Sequence, residues 1–379
     1  MKQRSRRRLG LGITLGLTAA LACACSSSSS SSAASAPSAG SSSAPSSTAD
    51  LGSPQERAAM NALYTKAVAA GQTSVVIYGP SAGSDTQEYT AFKQAFPKIT
   101  ISGVPIVGPP MDTRIAAEAS SGKHIADLAY TGGSGMMNYY NAGYFTPYKP
   151  ATLPGLSALA PESVGPNNSF VGLTISVAGV VTNSNTVKSP PKQWTDLQGS
   201  DFKNQIAMYD PTALGLMSDN FAHLSRVPKY AQLESALKAN SAQLFPSSSL
   251  TGPLTAVAQG AKKVAIGAPY NYYLQAKASG APVTFSLFSA DNYWTTLYAG
   301  VLKGAPHPLA AELYEDWMLT PAGAQAIAQE GLYSTFKDSP APAGLPALSA
   351  VPLQQAIPLA QLAAADNAAV ARAKQYWGS

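Results

Sequence analysis

The chain has 379 residues, of which 45% are hydrophobic and only 12% are charged, and its formal net charge is +5. The first eight residues carry five Lys and Arg, so the other 20 basic residues balance the 20 acidic ones. A neutral body without a basic stretch argues against nucleic acid as a partner. Cys23 and Cys25 are the only cysteines, so the rest of the chain has neither a disulfide nor a thiol nucleophile.

The N-terminal segment has the features of an export signal. A basic stretch is followed by a largely apolar run over residues 9–24, which is too short for a membrane-spanning helix. With Cys-Ala-Cys at its end, the segment resembles a bacterial lipoprotein signal. We therefore predict a signal peptide over residues 1–25 and acylation of Cys23 or Cys25, which would place the exported protein on the outer face of the cytoplasmic membrane. An ordinary secretory signal is the alternative, and the arginines at residues 6–8 leave both Sec and twin-arginine export open.

Residues 26–52 are predicted to form a disordered tether between the anchor and the body. Ser, Ala, Pro, Gly and Thr dominate this segment, and such a composition buries too little apolar surface to offset the entropy of ordering. Order is predicted to begin at Ser53, because Ser53, Pro54 and Glu56 match an N-cap, a first-turn proline and a capping-box glutamate.

Beyond this first helix, strand and helix patterns alternate. Short apolar runs at residues 75–78, 99–101 and 125–130 predict strands, and residues 85–96 and 113–121 predict helices. Alternation of this kind indicates a mostly parallel sheet flanked by helices, in which ligands bind at the carboxyl ends of the strands. Two loops fall at that position, and glycine-containing turns without a ligand are the alternative. The candidate ligand-binding residues in these loops are Ser81, Ser84, Thr131, Gly133 and Ser134.

Many segments, taken in order, resemble the periplasmic-type solute-binding proteins of bacterial ABC importers. The branch concerned includes ferric-iron, thiamine, polyamine and phosphonate binders, and the resemblance covers about residues 74–336. The matching segments lie at residues 75–79, 91–99, 126–128, 141–148, 170–173, 180–183, 194–197, 202–207, 210–212, 264–267 and 301–308.

This resemblance implies an α/β, two-lobed periplasmic-binding-protein-like fold of type II, in which each lobe is a mostly parallel sheet flanked by helices. Two crossing strands, expected near residues 173–177 and 283–289, would form the hinge. Lobe 1 would comprise residues 53–174 and 289–379, the latter with the C-terminal helices, and lobe 2 residues 175–288. A monomer would hold a small solute in the cleft and deliver it to the permease and ATPase subunits of an importer.

The solute is left open between iron and an organic molecule. In the iron branch two adjacent tyrosines bind Fe(III), and Tyr272 and Tyr273 fall where that pair is expected; Fe(III) would then be cargo, and no cofactor is expected. The His, Glu and Arg residues that accompany that pair are missing. Alternatively, the aromatic side chains form a flat wall for sugars, ring systems or organic cations, or they only pack inside the lobe. The candidate wall residues are Tyr270, Tyr272, Tyr273, Tyr293 and Trp294.

Thr212 completes the candidate ligand-binding residues, because the segment at 210–215 resembles one that opens a second-lobe helix toward ligand. Asp210 in that segment is equally suited to cap the helix.

No catalytic constellation is found. The three histidines lack zinc-site spacing, residues 132–136 fail the nucleophile-elbow pattern, and residues 122–124 fail the phosphate-loop pattern. We therefore expect a binding protein rather than an enzyme, with a lipid-anchored sensor domain and a cleft hydrolase as alternatives. Four carboxylates show no spacing that pairs them and are expected to be solvated charges or caps: Glu118, Asp127, Asp201 and Asp219.

Overall fold

The structure is a computed structural model that describes residues 49–80, 82–83, 85–147 and 163–378. The predicted signal peptide with Cys23 and Cys25, and residues 26–48 of the predicted tether, lie outside these residues. The same holds for two of the candidate ligand-binding residues, Ser81 and Ser84.

Residues 50 and 51, just before the predicted boundary at residue 53, pack against the body. Leu51 is buried in a hydrophobic core, and the Asp50 carbonyl accepts a hydrogen bond from the Ala322 N–H at 2.9 Å. The tether prediction is therefore wrong for its last residues. The predicted capping box is confirmed, since the Ser53 and Glu56 side chains each accept a hydrogen bond from the other residue's backbone N–H.

The described residues form eleven α-helices and ten strands, besides short 3₁₀ turns. The helices are α1 (Pro54–Ala69), α2 (Thr86–Ala95), α3 (Pro109–Ser121), α4 (Gly133–Asn141), α5 (Leu216–Leu224), α6 (Leu233–Ala239), α7 (Gly252–Ala258), α8 (Tyr270–Ala278), α9 (Pro308–Met318), α10 (Pro321–Gln329) and α11 (Leu359–Trp377). The strands are β1 (Ser74–Gly79), β2 (Thr100–Pro105), β3 (Leu128–Gly132), β4 (Val171–Asn183), β5 (Ile206–Tyr209), β6 (Gln243–Phe245), β7 (Val264–Pro269), β8 (Val283–Ser286), β9 (Trp294–Val301) and β10 (Tyr333–Ser334).

The first lobe contains the sheet β2-β1-β3-β9-β4, with β10 also paired to β4. Strand β1 runs parallel to β2 and β3, whereas β9 is antiparallel to β3 and β4. Helices α2 and α9 bury aromatic side chains against this sheet, with Phe92 in edge-to-face contact with Tyr314 and Trp317. The predicted alternation of strands and helices is confirmed here, although α3 begins four residues early because Pro109 and Pro110 occupy its first turn.

The second lobe contains the sheet β4-β7-β5-β6, in which β8 also pairs with β4. Its core is separate from that of the first lobe and includes Trp194 and Phe288, whose rings lie 4.6 Å apart. Strand β4 belongs to both sheets: residues up to Val177 pair with β9 and β10, and residues from Ala178 onward pair with β7 and β8. The first connection between the lobes is therefore one continuous strand, and it lies at the end of the predicted crossing.

The second connection runs through residues 287–293, slightly beyond the predicted position at 283–289. The fully buried Asn292 holds it in place: its carboxamide accepts from the Phe288 N–H at 2.7 Å and donates to the carbonyls of Phe288 and Pro352. The chain then passes through residues 335–358 to α11, which packs on α4 of the first lobe and on α5 of the second. No described helix is long and apolar enough to cross a membrane. The lobe boundaries at residues 174 and 288 stay predictions.

Candidate functional site

A cavity of about 180 Å³ lies between the lobes. The first lobe lines it with the ends of β3 and the start of α4, and the second with the start of α5 and the end of β7. Ser176 of β4 and Tyr293 lie at its hinge side. The C-terminal helix α11 adds one further side chain, Asp366.

The predicted loop at residues 131–135 is instead the end of β3 and the start of α4, and two of its predicted residues line the cavity, Thr131 and Ser134. Gly133, the residue between them in the helix start, instead lies beneath α11. A Cβ at this position would lie 2.7 Å from Leu359 Cδ1 and 2.9 Å from Leu362 Cδ2, so a side chain there would require these leucine side chains to shift. Gly133 therefore leaves room for the leucine side chains of α11.

Two carboxyl groups from different helices meet in the cavity. Asp219 of α5 accepts a hydrogen bond at Oδ2 from the Tyr293 hydroxyl at 2.7 Å. Asp366 accepts at Oδ2 from the Ser134 hydroxyl at 2.5 Å. The residues are 9% and 3% exposed, and the other oxygen of Asp366, Oδ1, is buried without a hydrogen-bond partner.

The surroundings raise the pKa of Asp366 and of the neighbouring His223. Burial, and next the negative charge of Asp219, raise the pKa of Asp366 to about 7. His223 lies one helical turn from Asp219, with Nδ1 3.2 Å from Asp219 Oδ1 and 2.9 Å from the Asp219 carbonyl oxygen. Burial lowers the pKa of His223, but hydrogen bonding to Asp219 and its charge outweigh burial, and the net effect raises it.

The lining carries negative charge only. A third carboxylate, Asp112 of α3, lies in the first lobe and accepts a hydrogen bond from the Tyr139 hydroxyl at 2.6 Å. None of the described residues that line the cavity is Lys, Arg or His. The electrostatics of the cleft therefore favour cations over anions.

The tyrosines of α8 point in different directions. Tyr272 lines the cavity, and its hydroxyl donates to the Pro80 carbonyl of the first lobe at 3.2 Å. The Tyr270 hydroxyl donates instead to the Ala343 carbonyl at 2.7 Å, and Tyr273 packs against the rings of Tyr270 and Phe285. Among these three predicted residues, only Tyr272 is part of the cavity lining.

The geometry does not assemble the iron site that the sequence suggested as one alternative. Tyr272 and Tyr273 are not brought together in the cleft, and burial raises the pKa of Tyr272 well above its usual value, which disfavours the phenolate. The described residues also include no group of three or more His, Cys, Asp or Glu placed to hold a metal ion.

Thr212 makes a local contact rather than lining the cavity. Its hydroxyl and its N–H both donate to Asp210 Oδ1, at 2.7 and 2.8 Å, which closes a turn before α5. The following residues, Leu214 to Leu216, do line the cavity. Of the predicted wall residues, Tyr293 lies in the lining and Trp294 does not; the Trp294 Nε1–H donates to the Gln354 carbonyl at 2.9 Å.

Sequence reasoning missed the carboxylates of the site. The expectation that Asp219 is a solvated charge is wrong, and it is also wrong for Glu118 and Asp127, which are buried and hydrogen-bonded. The sequence did carry a sign that Asp219 is buried. It lies between Met217 and Phe221 in a mostly buried helix, four residues before His223. Asp366 gave no such signal, because its partners are distant in sequence.

Comparison with known proteins defines the family. The profile of the family described as bacterial extracellular solute-binding protein matches residues 123–353, more than half of the chain. The chain belongs to this family. It is thus a bacterial extracellular solute-binding protein, as predicted from the resemblance. No curated protein matches the sequence.

Solved structures agree on the fold. Iron-bound HitA from Pseudomonas aeruginosa has a TM-score of 0.66 at 19% identity, covering 80% of this chain and 99% of that one. AfuA from Actinobacillus pleuropneumoniae, with fructose-6-phosphate bound, has a TM-score of 0.67 at 18% identity, and the match covers 80% of this chain and 98% of that one. An ABC-transporter substrate-binding protein from Agrobacterium tumefaciens has a TM-score of 0.68 at 17% identity, and the match covers 82% of this chain and 96% of that one. The two-lobed type II fold is confirmed.

Proposed function

We propose that this solute-binding protein captures a small organic cation, with an ammonium group held against Asp219 and Asp366. The observation that carries this proposal is the charge of the cleft: three carboxylates line it, and no basic side chain does among the described residues. One carboxylate oxygen, Asp366 Oδ1, is buried without a hydrogen-bond partner. Buried unpaired acceptors are costly, so a solute that supplies N–H donors gains more here than in water.

The walls of the cleft suit the rest of such a solute. The rings of Tyr209, Tyr272 and Tyr293 line the cavity from the second lobe and the hinge side, and aromatic faces attract organic cations. The volume of about 180 Å³ is below the ~300–1,000 Å³ typical of sites for drug-sized ligands, which favours a small solute.

Other solutes find less support in the cleft. The solved relatives include iron-bound HitA and fructose-6-phosphate-bound AfuA. A phosphate group is best held by Arg or Lys, which the described lining lacks. Iron import through Tyr272 and Tyr273 would need a rotation that brings the second phenol into the cleft.

A cleft hydrolase is the second candidate, because one observation favours it. Asp219 and Asp366 form a pair of carboxyl groups, and the pKa of Asp366 is raised to about 7, a range suited to general acid–base catalysis. We nevertheless infer binding without chemical change, since the family is one of extracellular solute-binding proteins. Mass spectrometry of solute recovered after long incubation would separate the two functions, because only a hydrolase would return altered solute.

We further propose that Cys23 or Cys25 anchors the protein to the outer face of the cytoplasmic membrane, and that a monomer docks on an ABC permease. The support is the order of basic stretch, apolar run and cysteines in the sequence. A sensor domain would share the fold and the anchor, and transport assays with the permease would distinguish it.

The test of the solute class is thermal unfolding of the signal-free body with spermidine, thiamine, choline, glucose, methylphosphonate and Fe(III)-citrate. A solute at 100 times its dissociation constant adds about 2.7 kcal/mol to the free energy of unfolding. We expect stabilisation by at least one of the three cations, and its loss in Asp219→Asn. The exposed Asp201→Asn variant is the matched control and should keep the effect. Stabilisation by the phosphonate or by Fe(III) alone would overturn the proposal.

A further inference from the structure

We propose that the cationic solute carries a second, neutral group with both N–H donors and a hydrogen-bond acceptor, such as a carboxamide, and that Asn271 binds this group. The inference rests on the proposed function, because it assumes that Asp219 and Asp366 hold the ammonium group. It adds the chemistry of the other end of the solute, which the negative charge of the cleft does not specify.

Asn271 is the residue that points to a second polar group on the solute. It is the second residue of α8, it lines the cavity, and it is 5% exposed. Its Oδ1 is buried without a hydrogen-bond partner, as is Oδ1 of Asp366. A buried amide oxygen that stays unpaired costs free energy, so a solute group that donates to it gains more than it would gain from water.

The chemistry of a carboxamide selects the partner group. A carboxamide has one oxygen acceptor and two N–H donors, so only a partner that both donates and accepts can satisfy it. An ammonium group only donates, and a carboxylate only accepts. The start of α8 contributes further donors, because its N-cap, Pro269, makes no side-chain hydrogen bond and the N–H groups of a first helical turn lack partners within the helix. These N–H groups suit the carbonyl oxygen of a solute amide.

Asn271 and the carboxyl groups lie on different parts of the cavity wall. Asn271 lies beside the end of α10, where a Cβ on Gly331 would be 3.1 Å from Asn271 Cα. Asp366 lies instead beside the start of α4, where it accepts the hydrogen bond from Ser134. A single solute therefore reaches both unpaired oxygens only if it has polar groups at its two ends.

Ser247 is a further lining residue with an unpaired polar atom, its buried Oγ. It lies against the start of α5, where a Cβ on Gly215 would be 2.6 Å from this oxygen. A hydroxyl group can rotate to donate or to accept, so Ser247 fits many partners and does not select among them. The selective residue for the second group is therefore Asn271.

Calorimetry with a matched set of five-carbon compounds tests this subsite. The set comprises pentylamine, 5-aminopentanamide, 5-aminopentanoate, cadaverine and pentanamide. The amino amide should bind at least about tenfold more tightly than pentylamine, because a buried acceptor then gains a donor. In Asn271→Leu, which has a side chain of similar size, this advantage should fall below about threefold through weaker binding of the amino amide. The exposed Asn185→Leu is the matched control and should keep the advantage.

The outcomes separate this inference from the proposed function. If pentylamine binds as tightly as the amino amide, or if the advantage persists in Asn271→Leu, the subsite is overturned and the cation function stands. Tighter binding of cadaverine or 5-aminopentanoate than of the amino amide would also overturn the subsite, because the second group would then be charged. If pentanamide binds as tightly as the amino amide, the cation function is overturned and the subsite stands. If none of the five compounds binds, the subsite fails, and the results with spermidine, thiamine and choline decide the cation function.

Discussion

Replacement of Asp366 by Asn should change how the stability of the empty protein depends on pH. The pKa of Asp366 is about 7 in the folded protein, compared with an ordinary value of 3.8. Between these values the folded protein holds a proton that the unfolded chain has lost, so this group's contribution to stability is present at low pH. It is lost as pH rises through 7. A difference of about three units at 1.36 kcal/mol per unit gives a loss of at most about 4 kcal/mol.

Urea unfolding of the signal-free body at pH 4.5, 6 and 8 measures this effect. Asp366→Asn should match the wild type within about 1 kcal/mol at pH 4.5 and exceed it by up to about 4 kcal/mol at pH 8. Asp201→Asn makes the same chemical change on the surface and should follow the wild type. The raised pKa of His223 acts with the same sign, so the measurement is repeated in His223→Gln. A difference between Asp366→Asn and wild type that is constant across pH would refute the reasoning.

Three further predictions test other parts of the structure. Tyr272→Phe removes the hydrogen bond to the Pro80 carbonyl of the first lobe and should weaken binding of the cation about fivefold in calorimetry. Its control, Tyr273→Phe, should leave the affinity unchanged. Equal effects of the two variants would contradict the geometry. Asn292→Ala should lower the free energy of unfolding, measured by urea unfolding, by about 3 kcal/mol, because it leaves the buried backbone groups of Phe288 and Pro352 without these hydrogen bonds. A loss under about 1 kcal/mol would be inconsistent with that role. Replacing Cys23 and Cys25 together by Ser should shift the protein from the membrane fraction to the medium, and continued membrane retention would rule out lipid anchoring.

The architecture could be predicted because local patterns and topology agree. The apolar runs that became β1 and β3 are short and bounded by glycine or proline, and such runs indicate buried strands. The junction of β3 and α4 was predicted from the rule that ligands bind at the carboxyl ends of strands, and Thr131 and Ser134 do line the cavity. These inferences depend only on residues that are close together in the sequence.

The site could not be predicted as fully, because its main groups come from distant parts of the chain. Tyr272 and Tyr273 are adjacent in sequence, but consecutive helical residues point about 100° apart, so they cannot line one cavity in the same way. Asp366 lies in a helix rich in alanine and meets Asp219 only through the packing of α11 on α5. No local sequence pattern predicts that these two residues lie close together.

The packing of α11 determines which lobe presents the carboxyl pair. Leu362 and Ala369 of α11 lie in the same hydrophobic core as the α5 residue Phe221, so burial ties this helix to the second lobe. Among the described residues, α11 contacts the first lobe through the Ser134 hydroxyl on Asp366 and through Leu359, which packs against the first-lobe core. Two buried side chains on the second lobe outweigh one partly buried side chain and one hydrogen bond on the first. If the lobes separate, α11 should therefore stay with α5, and the two carboxyl groups should move as one unit, away from Ser134. Capture of the cation would then begin on the second lobe, with closure of the first lobe supplying Ser134 and the wall around Tyr139.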